Sequence, residues 1–438
     1  MSRGTVLYTF FPLKIPLLRC VHVLCAFGSM AYQNNFGPDL RVVACIGGGS
    51  FADVLKVRHN TTKQYFAAKR FKKRYRTHEE INRLPEIVAL RRLSGHPNIS
   101  TLYDVMYEPS SGTAALILDL MDLNLFEFIK ENKQPVSEDV ALLLIYQLLR
   151  ALEFVHSKQM FHRDVKPENC LVRTSTLELK LCDFGSTRIV DSTTPYTEYV
   201  VTRWYRAPEC ILTKGSYGKE VDIWAVGCIL FELLAGKPLF PGTSEIDQIK
   251  RIHQVLGTPS MQVLSQFRSN PNTEISFSFS QSSPQDLHRF LRQTSDLTIE
   301  LIKQMLIYDP RDRISAMDAL RHPALAKLRN LEIRWQTSGC PGSFAVFCQN
   351  PTDVPRPVES KGAQKPEHPS RLRKAPIAPP KVVSRPKISF DDSISLVESR
   401  KKAAQRILEY RLRKQVPKQT FNLDHTRLIH AQHSQQSI

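Results

Sequence analysis

The chain has no run of eighteen or more uncharged apolar residues, so no segment reads as a membrane-spanning helix by length and composition. No internal repeat is visible, which leaves a repeat architecture without support. Its nine cysteines are odd in number and scattered, with no Cys-x-x-Cys pair; that argues for a reducing compartment and against a disulfide or zinc framework. Basic residues are not interleaved with aromatics and no nucleic-acid motif appears, so a specific nucleic-acid partner is not expected.

What is present is charge and ordinary globular composition. The formal net charge is +18, and residues 341–438 hold 18 Lys+Arg against 8 Asp+Glu, so more than half of the excess lies at the C-terminal end. Such a tail favours acidic partners, whether a microtubule surface, nucleic acid or an anionic membrane, without choosing among them. At 438 residues the chain can hold a domain of nearly 300 and a long tail besides.

The densest chemistry lies at residues 162–169, His-Arg-Asp-Val-Lys-Pro-Glu-Asn, followed fourteen positions later by Asp183-Phe184-Gly185 and then by Ala207-Pro208-Glu209. The set supplies a carboxylate for a hydroxyl (Asp164), an ammonium for a transferring phosphoryl group (Lys166), and oxygens for a hard cation (Asn169 and Asp183). These are the parts phosphoryl transfer requires, because there the protein's task is positioning and charge neutralisation. A lone triplet could arise by chance; this order and spacing are hard to read otherwise. Upstream, a glycine-rich stretch runs through Ile46, Gly47, Gly48, Gly49, Ser50, Phe51, Ala52, Asp53 and Val54, where glycines let backbone approach phosphates closely. Alone it would be no more than a hairpin turn.

In these motifs the chain resembles the eukaryotic protein kinase superfamily from about residue 38 to 325. The resemblance implies an α+β, two-lobed fold: an antiparallel-sheet N-lobe with one helix (about 38–119) and a larger, mainly helical C-lobe (about 122–325). It implies that ATP lies under the glycine loop, between Ala67 and a Leu118 gatekeeper, along a hinge containing Asp119 and Met121, with Lys69 on its phosphates and Glu86 as the partner of Lys69. Cys182 would line that pocket as a packed side chain. Asp164 would be the catalytic base, Lys166 would stabilise charge on the γ-phosphate, and Asn169 and Asp183 would hold Mg²⁺. Glu209 would pair with Arg313, and Asp222 would brace the catalytic loop. Two positions depart from the pattern. Ala52 stands where the family has its third glycine. Pro85 sits inside the expected helix, where it either starts a new helix as first residue or kinks the old one; both bear on whether Glu86 reaches Lys69.

Thr202 to Arg206, Phe240-Pro241-Gly242 and Leu256-Gly257-Thr258-Pro259 are similar to the CMGC group, which holds the cyclin-dependent and mitogen-activated kinases. Leu120 to Leu125, Cys182 to Ser186, Pro195 to Tyr199 and the non-glycine at 52 resemble the MAK/ICK/MOK branch, the MOK type most of all. That branch implies serine/threonine substrates, followed by proline, and a Thr-x-Tyr switch at Thr197 and Tyr199 set by an upstream activating kinase. Arg163, Arg188 and Arg83 would meet a phosphate on Thr197, and Arg203 and Arg206 one on Tyr199, arginine's planar fork suiting phosphate. The expected location is cytoplasmic, with cilium and nucleus as further places. The competing expectation is a pseudokinase scaffold that acts through its tail, the N-lobe being compromised at Ala52 and Pro85.

Around this domain, residues 1–37 form a leader of unsettled status. Tyr8 to Phe27 is apolar but broken by Lys14 and Arg19, against a signal peptide, and Met30 offers a second start. Strands are expected from Asp39 to Leu118 with one helix near 77–93. Leu142, Ile145, Leu149, Leu152 and Val155 mark a buried helix capped by Ser137. Residues 268–285 look like a surface insertion, and the last domain helix is expected at 313–322. Residues 326–438 are expected to be a basic, proline-rich, mostly disordered tail. It carries a PxxP stretch at 373–381 (a linker, or a ligand for SH3 domains) and a basic amphipathic segment at 396–415.

Overall fold

The computed structural model describes residues 39–189 apart from 133, 203–268 apart from 214 and 216, 279–338, and 343–348. The leader, Thr197 and Tyr199, the PxxP stretch and the 396–415 segment lie outside these residues.

Five antiparallel strands open the fold: β1 (Leu40–Gly48), β2 (Ala52–His59), β3 (Tyr65–Phe71), β4 (Leu102–Glu108) and β5 (Thr113–Leu118), in the order β1-β2-β3-β5-β4. Alternation decides the two faces. Leu55, Val57, Ala68, Ala115 and Ile117 close one small core. The intervening Ala67, Ala114, Leu116 and Leu118 face the main core, which runs on into the helical lobe.

The single helix expected at 77–93 is two: α1 (His78–Asn82), capped by the Thr77 side chain, and α2 (Pro85–Arg92). Pro85 is the first residue of α2, where its missing N–H costs nothing, so the helix restarts rather than kinks. Arg83, expected on the glutamate-bearing helix, is instead the C-cap of α1. Ile87, Ala89, Leu90 and Leu93 are buried and Val88 is half-exposed, which turns Glu86 inward.

The helical lobe is built on α3 (Leu125–Asn132), α4 (Glu138–Ser157), α5 (Pro208–Leu212), α6 (Glu220–Ala235), α7 (Glu245–Leu256), α8 (Met261–Arg268), α9 (Asp296–Met305) and α10 (Ala316–Arg321). Of the described helices only α4 is long and apolar enough to cross a membrane, and it is the core: its expected stripe from Leu142 to Val155 is buried, as are most of its other residues. Ser137 sits at the cap position of α4 but makes no side-chain capping bond. Short strands β6 (Leu123–Asn124), β8 (Cys170–Arg173) and β9 (Glu178–Leu181) form one small sheet, and β7 (Met160–Phe161) pairs with β10 (Arg188–Ile189). These pairings hold the chain on both sides of residues 162–169 and of Asp183.

Two boundaries differ from expectation. Helix α10 begins at Ala316, not 313, because Ser315 caps it through Asp318 while Arg313 is drawn into the core. Order also continues past 325. Helices α11 (Ala326–Ser338) and α12 (Phe344–Phe347) bury Leu328, Leu331, Phe344, Phe347 and Cys348. The Phe344 ring lies 5.6 Å from Tyr146 of α4 and 6.0 Å from Trp335. Glu332 accepts from the Tyr146 hydroxyl and lies 3.1 Å from Arg150 Nε. A tail beginning at 326 is therefore too long: the first 23 positions carry apolar residues that need α4 as a partner, while the proline-rich composition starts only at 351.

Candidate active site

Lys69 projects from β3, opposite Leu116 of β5, in the same pairing that sets Ala67 against Leu118. Its Nζ lies 2.7 and 2.8 Å from the two Glu86 oxygens and 2.9 Å from Asp183 Oδ1. Pro85 therefore does not keep Glu86 from Lys69, and the sequence ground for a catalytically incompetent scaffold falls away. Burial alone would lower the Lys69 pKa, but Glu86 and Asp183 overcome it and hold the ammonium above the usual lysine value. Burial likewise pushes the Asp183 carboxyl up, and Lys69 more than reverses that, leaving it lowered. For Glu86 burial prevails and the pKa is raised against the pull of Lys69, yet with Nζ touching both oxygens the ion pair is the state the geometry favours.

Asp183 has φ 61° and ψ 67°, left-handed backbone that costs a non-glycine residue about 1–3 kcal/mol and is found mainly where function demands it. Phe184 is fully buried beside the His162 ring, 4.8 Å away and edge-on, and α2 packs on this turn. That contact ties the helix carrying Glu86 to the residue after Asp183. Burial pushes the Cys182 thiol well above its ordinary value, so it is a packed thiol and not a nucleophile.

Asp164 Oδ2 accepts from Lys166 Nζ at 2.7 Å and from Asn169 Nδ2 at 3.0 Å. Asn169 Nδ2 also donates to the Asp164 carbonyl at 2.7 Å, closing the loop on itself. Beneath it, the buried Asp222 carboxylate accepts the backbone N–H groups of His162 and Arg163, both at 2.8 Å, and contacts His156 Nε2 at 2.9 Å. Arg163 has φ 74°, and Asp222 holds both amides around that turn. Glu209 and Arg313, fully buried, meet through two parallel contacts of 2.6 and 3.1 Å.

The glycine stretch forms the β1–β2 hairpin, closed by Gly49 N–H donating to the Ala52 carbonyl at 2.8 Å. Ala52 lies within β2, paired with Phe71, so a side chain at that position is accommodated by the sheet. Ile46, Ser50 and Phe51 are exposed, Phe51 by 85 %. Gly47 pairs with Val54, and Gly48 with Asp53. The Asp53 carboxylate faces Arg70 (3.4 Å) and Lys72 (3.5 Å) on the β3 side. Leu118 is buried and Met121 Sδ is 3.5 Å from Arg173 Nη2. The Asp119 side chain is engaged by Thr101, Tyr103 and Lys180.

Of the arginines expected to face phosphate, Arg163 donates to Tyr217 Oη (2.8 and 3.2 Å) and to the Ser186 carbonyl. Arg188 donates to the Thr187 carbonyl, and Arg206 lies 3.5 Å from Glu245. Arg203 opens the short turn to Tyr205. Sequence reading missed His156, Tyr217, Lys180 and the buried pair Tyr205–Glu232, in which the phenol donates to Glu232 at 2.7 Å. Only the buried-helix position of Glu232, among Leu230, Phe231, Leu233 and Leu234, offered a signal.

The donors suit a nucleotide and a divalent metal. Asp183, with 46 % of its side chain exposed, and Asn169 offer hard oxygens. No group of three or more His, Cys, Asp or Glu stands together among the described residues. A metal here would be held by Asn169 and Asp183.

Comparison with known proteins agrees with this geometry. The family described as Protein kinase domain matches residues 40–325. The chain is 43 % identical over 296 residues to the "MAPK/MAK/MRK overlapping kinase" of Homo sapiens, covering 68 % of this chain and 70 % of that protein. It is 40 % identical over 283 residues to "Cyclin-dependent kinase F-3" of Oryza sativa subsp. japonica (65 % of this chain, 64 % of that one). It is 39 % identical over 281 residues to "Serine/threonine-protein kinase MAK" of Rattus norvegicus (64 % and 44 %). The chain belongs to the protein kinase family, and with it comes use of ATP and a divalent metal. Within that family it falls in the MAK/ICK/MOK branch of the CMGC group and is a serine/threonine kinase.

Proposed function

We propose that the chain transfers the γ-phosphate of Mg²⁺-bound ATP to serine or threonine followed by proline, and that phosphorylation at Thr197 and Tyr199 by an upstream kinase raises this activity. The observation that carries the reading is the simultaneous contact of Lys69 with Glu86 and Asp183, together with the Asp164–Lys166–Asn169 triangle. Lys69, held by Glu86, neutralises the non-reacting phosphates. Asn169 and Asp183 would hold the metal, and their hard oxygens suit Mg²⁺. The metal, when bound, offsets charge on the phosphate oxygens. As the substrate oxygen bonds to the γ-phosphorus and the bond to the β–γ bridging oxygen breaks, ADP leaves and Asp164 takes the hydroxyl proton. Lys166, 2.7 Å from that carboxylate, stabilises charge on the transferring group. Asp222 fixes the loop's two amides, so the triangle is preorganised rather than assembled during reaction.

Proline direction is supported by the likeness of Thr202 to Arg206 to the CMGC group and by how that turn is anchored. Trp204 Nε1 donates to the Gly242 carbonyl at 3.1 Å, and Gln248 Nε2 to the Trp204 carbonyl at 3.4 Å. A doubly negative phosphate would find Arg163 on the 162–169 loop and Arg188 on the segment leading from Asp183. The basic tail would serve location through an acidic partner. Phosphorylation of an oriented peptide library by the purified full chain tests the specificity: strong selection for proline after the acceptor is expected, and equal use of all residues there would refute it. The Thr197→Ala/Tyr199→Phe double variant should lose most activity; full activity would refute the switch.

A further inference from the structure

We propose that Lys180 and Tyr103, acting through Asp119, form a staple that fixes the hinge for nucleotide binding, which makes Lys180 a positioning residue for the reaction. The inference rests on the kinase reading above and extends it to residues outside the triangle and the Lys69 cluster.

Asp119 directly follows Leu118, the last residue of β5, and so opens the link between the lobes. Its carboxylate collects donors from both sides. From the entry to β4 and from β4 itself, the Thr101 N–H donates to Oδ2 at 2.7 Å and the Tyr103 hydroxyl to Oδ1 at 3.0 Å. From β9, Lys180 Nζ donates to Oδ2 at 2.9 Å. The ion pair is well shielded, the two side chains being 12 % and 10 % exposed. Lys180 also reaches Thr101 Oγ1 at 3.4 Å. The backbone runs the same way: Leu181 N–H donates to the Asn98 carbonyl at 2.8 Å, and Ser100 N–H to the Leu181 carbonyl at 2.9 Å. One carboxylate thus ties the start of β4, the hinge, and the strand that delivers Asp183 three residues beyond Lys180.

The consequence is mechanical. A hinge residue carrying a small or apolar side chain would leave its backbone to be set by the chain alone. Here three donors fix it: the Tyr103 hydroxyl from the sheet, the Thr101 N–H from the link that enters β4, and Lys180 from the helical lobe. Nucleotide must touch both lobes at once, so freeing the hinge costs ordering at the moment of binding and weakens binding before it slows chemistry. None of the three side chains contacts Asp164, Lys166 or Asn169 in the described hydrogen bonds, so the chemical step has no direct dependence on them.

The test uses the full chain with Lys180→Met, Lys180→Arg, Tyr103→Phe and the Asp119→Asn/Lys180→Met double variant. Steady-state kinetics are measured against ATP and peptide, and affinity by titration with a fluorescent ADP analogue in Mg²⁺. Lys180→Met should raise both the KM for ATP and the analogue's Kd by about tenfold, a change of roughly 1.4 kcal/mol. Its kcat and peptide KM should stay within about threefold, Lys180→Arg should recover most of the loss, and the double variant should be no worse than the single. Tyr103→Phe, at a half-exposed position that folding tolerates, should give a smaller shift in the same direction. Variants whose nucleotide constants stay within about twofold of wild type overturn the staple, as does a loss of kcat and melting temperature without a selective change in nucleotide constants. A wild-type chain that binds no nucleotide overturns the kinase reading and the staple with it; wild-type binding matched by every variant overturns the staple alone.

Discussion

Replacing Arg313 by methionine should be among the most damaging single changes in the helical lobe. Its guanidinium sits 0 % exposed against Glu209 at 1 %, with paired contacts of 2.6 and 3.1 Å. It also donates to the Glu220, Ile307 and Tyr308 carbonyls at 2.9, 3.0 and 3.3 Å, and lies over Trp224 at 5.1 Å. Removing one partner of a buried pair strands the other charge, at about 3–5 kcal/mol. Three carbonyls losing a donor add about 1 kcal/mol each where water cannot reach them. The sum, roughly 6–8 kcal/mol, rivals the whole stability of a typical domain, about 5–15 kcal/mol. Restoring neutrality in the double variant Glu209→Gln/Arg313→Met should return about 2–3 kcal/mol, because the stranded charge is the largest part. Urea unfolding of the purified chains, followed by far-UV circular dichroism, reads both numbers. A single variant within about 1 kcal/mol of wild type, or a double variant no more stable than the single, would refute the reasoning.

Two further outcomes follow from the packing. Burial raises the Glu232 pKa from 4.5 to about 7, against the hydrogen bond from Tyr205. The fold therefore binds a proton that the unfolded chain releases, so stability falls as pH rises from 4.5 through 7; relative to Glu232→Gln, wild type should lose about 2 kcal/mol between pH 5.5 and 8 in urea titrations, and parallel profiles would contradict this. Truncation after residue 325 should leave an insoluble or unfolded product while truncation after 348 should not. Leu328, Leu331, Phe344 and Phe347 together bury about 6–12 kcal/mol of transfer energy at roughly 1.5–3 kcal/mol each; a soluble, cooperatively melting 1–325 chain would refute it.

The parts of the site that were legible in the sequence are those whose chemistry is written in local spacing. Asp164, Lys166 and Asn169 fall within six residues, and Asp183 follows a short hairpin, so their convergence needs little of the fold. The Glu209–Arg313 pair spans 104 positions and was legible only through the motifs on which each residue sits. Lys180 and Asp119 lie 61 positions apart, and although Lys180 stands three residues before Asp183-Phe184-Gly185, nothing local distinguishes it from a solvated residue on a strand. Pro85 was legible as a disturbance with two readings, a helix start or a kink, and the choice between them depends on where α1 stops and on the burial of Ile87 and Leu90. Helices α11 and α12 were hidden by composition: Leu328, Leu331, Trp335 and Phe344 become core only once α4 supplies the facing surface.

The central claim is that Asp164, with Lys166 and Asn169 upon it, transfers phosphate under the charge held by Lys69 and Asp183. Its most direct test is transfer of label from γ-labelled ATP in Mg²⁺ to a Ser-Pro/Thr-Pro peptide, comparing the full chain, phosphorylated on its activation segment, with Asp164→Asn. The account predicts steady labelling by the first and a loss of at least about a hundredfold in the second, with melting temperatures alike. Equal labelling by both chains, or none by either despite bound nucleotide, would contradict it.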